Sequence, residues 1–113
     1  MKKLTLTKEI KQEIEKTIEQ FNNQEFASES DSYAYFATYR GKFIYLNIRN
    51  KETVYPAGRL TYTGDLNDME FAIYKFSKEK YDSDEFMFPG IQHLDGTIKG
   101  ALHACNTAYP PNK

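Results

Sequence analysis

The spacing of apolar residues near the start of the chain predicts an amphipathic helix over residues 7–23. Its apolar positions recur at steps of four, four and three: Ile10, Ile14, Ile18 and Phe21. This spacing places them in one stripe, while Lys, Glu and Gln fill the other faces. Thr7 is a suitable N-cap, and Asn22 and Asn23 are expected to end the helix. Because the stripe is narrow, we expect the helix to lie on a sheet.

Residues 33–39 and 43–49 alternate with the two-residue period of β-strands and form the clearest predicted hairpin. Gly41 suits the first position of a two-residue type II′ turn, which would pair Arg40 with Phe43. This register separates two faces, and a one-residue slip would exchange them. The face expected to join the core carries Tyr35, Ala37, Tyr39, Ile44, Leu46 and Ile48. The second face carries Phe36, Thr38, Phe43, Tyr45 and Asn47.

Two further strands are predicted after this hairpin. Residues 54–63 form a third strand, which Pro56 and Gly58 interrupt, so it is expected to be an edge strand or to be bulged at its start. Residues 69–76 alternate again and form a fourth strand. The charged residues 77–85 are predicted to be a loop.

A second helix is predicted over about residues 97–108, with Asp95 or Thr97 as its cap. Its inward side carries Ile98, Ala101, Leu102 and Cys105. The order of elements therefore predicts one α+β domain over residues 1–113. It consists of an N-terminal helix, a four-stranded antiparallel meander sheet and a C-terminal helix, with both helices on one sheet face.

Composition narrows the classes of function. Nine Tyr and eight Phe favour a sheet-based fold, while 15 basic residues against 16 acidic ones argue against a nucleic-acid partner, which normally requires a basic excess. A single cysteine, Cys105, excludes an internal disulfide and is typical of a reducing compartment. No stretch approaches the ~20 apolar residues of a membrane span. No secretory apolar segment follows Met1, so we expect a cytoplasmic protein without membrane contact.

The residues with catalytic or ligand character are few. The segment His93–Thr97 is similar to the Asp-x-Asp-Gly-Thr loop of haloacid-dehalogenase phosphatases, but His93 stands where that loop has its nucleophile. We therefore interpret Asp95 and Thr97 as a turn and a helix cap. Structural zinc usually takes four ligands, whereas this chain has one Cys and two His, so no metal site, no cofactor and no catalytic residue is assigned. Cys105 is expected to be a small buried residue.

The second hairpin face is the predicted functional surface. Two helices can cover only one side of the sheet, and an exposed aromatic surface usually marks an interface. We expect a non-enzymatic binding or protein-interaction domain. It would form a homodimer or bind another protein, and the contact surface would include Phe36, Phe43, Tyr45 and Arg59. One alternative is a small-molecule-binding or enzymatic pocket near residues 86–97, with Tyr35, Tyr62, His93 and Asp95 as its polar groups. Another is a single-stranded nucleic-acid binder that stacks bases on these rings.

Overall fold

The computed structural model describes residues 5–26, 33–82 and 88–109. These residues form helix α1 (Lys8–Glu25), strands β1 (Tyr33–Arg40), β2 (Phe43–Asn50), β3 (Thr53–Thr61), β4 (Glu70–Lys75) and β5 (Lys80–Asp82), a short 3-10 helix (Ile91–His93) and helix α2 (Ile98–Ala108). The strands make one antiparallel sheet in the order β1-β2-β3-β4-β5. The predicted α+β meander with terminal helices is confirmed, with five strands instead of four.

Helix α1 begins as its sequence predicts and ends later. The Thr7 hydroxyl accepts a hydrogen bond from the backbone N–H of Ile10 at 3.2 Å, which caps the first turn. The predicted end at Asn22 and Asn23 is wrong, because the helix continues to Glu25. The Asn22 side chain forms hydrogen bonds with the backbone of Tyr35 on β1, so it does not compete for the hydrogen bonds of its own helix.

The first hairpin has the predicted register. Arg40 pairs with Phe43, and Gly41 occupies the turn with a φ of 61°, a conformation that glycine adopts without steric cost. The predicted core face is confirmed, although two of its residues are only half-buried. Its buried members are Tyr35, Ile44, Leu46 and Ile48, and its half-buried members are Ala37 and Tyr39.

Strand β3 contains a β-bulge. Leu46 pairs with Gly58 and Asn47 pairs with Pro56, so Ala57 has no partner on β2. The prediction of a bulge is therefore confirmed. The alternative of an edge strand is wrong, since β3 lies between β2 and β4. Strand β4 pairs with residues 58–61 of β3 and not with its first half, which therefore has a single neighbouring strand among the described residues.

The prediction of a loop after β4 is wrong for residues 80–82. Lys75 pairs with Lys80 across a four-residue turn, and Tyr74 pairs with Tyr81. Glu79 closes this turn with a φ of 53°. Three residues are too few to show an alternating pattern, and the turn contains no glycine, so the usual signals of a hairpin are missing. Residues 83–85 of the predicted loop lie outside the described residues.

Both helices pack on the same face of the sheet, as predicted. Phe21 of α1 contacts Tyr35 edge-to-face, with ring centroids 5.7 Å apart. The inward side of α2 is buried as expected, at Ile98, Ala101, Leu102 and Cys105. No described helix or strand covers the other face of the sheet. Neither of the two described helices is long and apolar enough to cross a membrane.

Candidate functional site

The outer face is the side of the sheet that points away from both helices. Side chains alternate between the two faces of a strand, so the register determines which residues this face presents. They are Ala34, Phe36, Thr38, Arg40, Phe43, Tyr45, Asn47, Arg49, Val54, Pro56, Arg59, Thr61, Glu70, Ala72, Tyr74 and Tyr81. Most of these side chains are half-buried, but Ala72 is only 3% exposed because the larger side chains around it cover it.

Arg59 lies at the centre of this face. Its guanidinium carbon is 4.7 Å from the ring centroid of Phe43 and 5.3 Å from that of Tyr81. Both distances are within the range of cation–π attraction. The Nε atom is buried and has no hydrogen-bond partner among the described residues. Two aromatic rings, and no described carboxylate, therefore stabilise this positive charge.

The rings around Arg59 form a continuous row across three strands. Phe43 and Tyr45 have centroids 6.3 Å apart, Tyr45 and Tyr81 are 5.4 Å apart, and Tyr81 and Tyr74 are 5.1 Å apart. Each of these contacts is tilted or edge-to-face, and edge-to-face is an arrangement that aromatic pairs prefer. Desolvation, and to a smaller extent Tyr45 and Tyr74, raise the pKa of Tyr81, while Arg59 opposes this shift. The row is thus a packed aromatic surface that is partly exposed.

Positive charge exceeds negative charge on the described outer-face strands. Their cations are Arg40, Arg49 and Arg59, with Lys42 in the adjoining first turn, and their carboxylate is Glu70. Lys42 belongs to the first turn, and its Nζ lies 6.0 Å from the Phe43 ring centroid. Within the described residues, none of these cations forms a salt bridge. The net charge of the whole chain is only −1, so the acidic residues lie mainly elsewhere.

Three of the four residues predicted for a binding surface lie together on this face: Phe43, Tyr45 and Arg59. Phe36 also lies on the outer face, but it makes no ring contact with other described aromatics and borders a separate cleft of about 290 Å³ beside α1. Sequence reasoning missed Tyr74 and Tyr81 as site residues. Predicting the hairpin that pairs Lys75 with Lys80 would have placed Tyr74 and Tyr81 opposite each other.

A second site is a polar cleft of about 760 Å³ between α1 and the start of α2, which we call the helix cleft. Its polar lining comes from Glu13, Thr17, Asn67, Gln92, His93, Asp95, Thr97, Lys99 and His103. Of the four residues predicted for a pocket, His93 and Asp95 line this cleft. Tyr35 is in the core at 2% exposure, and Tyr62 packs against the core without lining the cleft.

The two histidines of the helix cleft lie side by side. The ring centroids of His93 and His103 are 5.7 Å apart, and His103 also contacts Phe21 edge-to-face at 5.0 Å. The Asp95 carboxylate accepts hydrogen bonds from the Thr97 hydroxyl at 2.5 Å and from the Thr97 backbone at 3.1 Å. These bonds lower the pKa of Asp95, so it is a carboxylate at neutral pH.

The helix cleft lacks an evident nucleophile among its described residues. The Thr97 hydroxyl donates to Asp95 and accepts from the Gly100 N–H, and the Thr17 hydroxyl donates to the Glu13 carbonyl. Cys105 is fully buried outside the cleft, and burial raises the pKa of its thiol. No three His, Cys, Asp or Glu side chains in the described ranges are close enough to hold a metal ion. Such a lining can form hydrogen bonds with a polar ligand.

We compared the chain with protein-family models, with curated proteins and with solved structures, and none of them matches it.

Proposed function

We propose that this chain is a non-enzymatic binding domain that holds a macromolecular partner on its outer face. The observation that carries the proposal is the position of Arg59, a cation between Phe43 and Tyr81 on a sheet face that no described element covers. Aromatic and arginine side chains dominate the energetically important part of many interfaces. A partly exposed aromatic surface of this kind is typical of a contact site.

The predicted homodimer is one form of this proposal. In a symmetric dimer through the outer face, each copy presents the same patch to its partner. The interface would then collect Arg40, Lys42, Arg49 and Arg59 from both copies, and Glu70 is the carboxylate that the described outer-face strands offer against them. Juxtaposed like charges weaken an interface. The charge pattern therefore favours an anionic partner over a second copy.

The proposal is tested by NMR titration of the backbone amides against two unrelated polyanions, single-stranded oligothymidylate and polyglutamate, and in a dilution series of the protein alone. We expect at least one of these to shift signals of the central outer-face residues, such as Tyr45, Arg59 and Tyr81. If none of the three does so at near-millimolar concentration, the outer face is not a binding surface and the proposal is wrong.

Small-molecule binding in the helix cleft is a second candidate function. It is favoured by the convergence of His93, His103 and Asp95 on one opening of about 760 Å³, a volume within the usual range of ligand sites. Screening a fragment library by NMR tests it. Shifts confined to His93, His103 and their neighbours would support a cleft ligand, while an absence of any shifts there would contradict it.

A further inference from the structure

The outer face combines two features that bear on the class of its partner: cations without a salt bridge among the described residues, and a row of aromatic rings. This inference rests on the proposed function, since it concerns the same surface. An acidic polypeptide would satisfy the cations but would leave the ring faces unused. A nucleic acid satisfies both, because its phosphates attract cations and its bases stack on aromatic side chains.

The shape of the surface favours a single strand over a duplex. A protein that reads a duplex inserts a helix or a two-stranded ribbon into a groove, whereas the described outer face is a sheet surface without a projecting element. The bases of a duplex are already stacked on each other and their faces are not free. Unpaired bases can lie on rings, as in other sheet surfaces that bind single strands.

The positions of the charged groups suit a strand that follows the rings. Arg40 and Lys42 lie at the end of the first hairpin beside Phe43, and Arg49 lies on β2 beyond Tyr45. Cations thus flank the aromatic row along β2, where they would meet phosphates on both sides of a stacked base. Arg59 adds charge between the rings themselves.

We infer that the outer face binds single-stranded nucleic acid. Its bases stack on the Tyr45 ring and on the Arg59 guanidinium, which lies over the Phe43 and Tyr81 rings. Its phosphates are held by Arg40, Lys42 and Arg49. Recognition by stacking and charge is tolerant of base sequence, since every base has an aromatic face. The binding should therefore show little preference among oligonucleotides of equal length. It should weaken steeply as salt is added, because bound cations release counterions from the phosphates.

The inference is tested by fluorescence anisotropy with a labelled 12-nucleotide oligothymidylate at several salt concentrations. Lys42→Glu should weaken binding about tenfold, whereas Lys16→Glu, the same charge change on the exposed surface of α1, should leave it nearly unchanged. Tyr45→Leu keeps an apolar side chain but removes the stacking ring, and it should weaken binding by about fivefold or more. Circular dichroism checks that each variant is folded.

The outcomes separate this inference from the broader proposal. Equal losses for Lys42→Glu and Lys16→Glu would overturn the outer-face assignment, and a duplex that competes as well as a single strand would overturn the single-strand assignment. If polyglutamate binds the outer face while oligothymidylate does not, the nucleic-acid inference is wrong and the proposed binding function stands. A dimer that forms through the outer face and excludes oligothymidylate leads to the same conclusion. If nothing binds, both are wrong.

Discussion

The side-chain amide of Asn22 forms two hydrogen bonds with the backbone of Tyr35. Its Oδ1 accepts from the Tyr35 N–H at 2.9 Å, and its Nδ2 donates to the Tyr35 carbonyl at 3.0 Å. Strand β1 is at the edge of the described sheet, so these backbone groups have no neighbouring strand on that side among the residues that the structure describes. The amide occupies hydrogen-bonding positions that a further strand would use. One side chain of α1 thus anchors the helix to β1 and also protects the sheet edge from pairing with a further strand.

Loss of this contact should destabilise the fold. We expect Asn22→Leu to lower the free energy of unfolding by about 1–3 kcal/mol, because it leaves a part-buried N–H and carbonyl without their partners. Urea denaturation followed by circular dichroism measures the change. Asn23→Leu is the matched control, since Asn23 is exposed on the same helix. Equal effects of the two substitutions would show that the Asn22 contact contributes nothing beyond helix propensity.

Gly58 should not tolerate a larger side chain. A Cβ atom built at this position would lie 2.6 Å from the Phe71 ring on β4 and 3.1 Å from the Cys105 sulfur on the buried side of α2. We expect Gly58→Ala to cost about 1–3 kcal/mol of stability through overpacking. Trimming the obstructing ring should relieve part of this cost. The double variant Gly58→Ala/Phe71→Leu should therefore be more stable than the sum of the two single changes predicts, and simple additivity would contradict the proposed clash.

The thiol of Cys105 should be unreactive in the folded protein. It is fully buried, and burial raises its pKa, so very little reactive thiolate forms at pH 8. We expect no reaction with a chromogenic disulfide reagent under native conditions and complete reaction of one thiol in guanidinium chloride. Any slow native reaction should follow the rate or extent of unfolding. A rapid native reaction would show that the packing of α2 on the sheet is wrong.

The hydroxyl of Thr97 should control the titration of Asp95. The pKa of Asp95 is lowered from 3.8, first by the hydroxyl bond and then by the backbone bond of Thr97. A lowered folded-state pKa contributes stability that is present above the unfolded-state pKa and is lost as pH falls through the folded-state value. We expect Thr97→Val to raise the Asp95 pKa toward 3.8, whereas Thr97→Ser should keep it low.

Carboxyl-carbon NMR titration of Asp95 checks this expectation directly. In unfolding measurements, the unsubstituted protein should lose the Asp95 contribution as pH falls below about 4. Thr97→Val should lack that part of the pH dependence, in addition to a pH-independent loss from removal of the helix cap. An unchanged Asp95 pKa in Thr97→Val would exclude the hydroxyl as its cause.

The first hairpin and the inward side of α2 could be predicted because local signals determined both. Gly41 set the register of the hairpin, and alternation of side chains then assigned its faces. The Asn22 contact could not be predicted, since it joins two segments 13 residues apart through a side chain whose usual role is to end a helix. Strand β5 was too short for its pattern to be recognised.

The positive charge of the outer face could not be predicted from composition for a related reason. The total of 15 basic and 16 acidic residues argued against a nucleic-acid partner, but it contains no information on how these charges are distributed. The position of Arg59 depends on the bulge in β3. Counted from the turn that pairs Asn50 with Thr53, an unbulged strand would place Arg59 opposite Ile44, on the core side. With Ala57 as the extra residue, Arg59 lies opposite Tyr45.

The bulge therefore determines which face each half of this strand presents. The five residues 53–57 face the four residues 47–50 of β2. Deletion of Ala57 would remove the mismatch and leave every other pair between β2 and β3 unchanged, with Arg59 still opposite Tyr45. Straightening the strand without shortening it would instead exchange the faces on one side of Ala57. Either Tyr55 would leave the core, or Leu60 would leave it and Arg59 would enter. The unpaired residue thus acts as a spacer that lets both halves of β3 keep their apolar side chains on the helix-covered face.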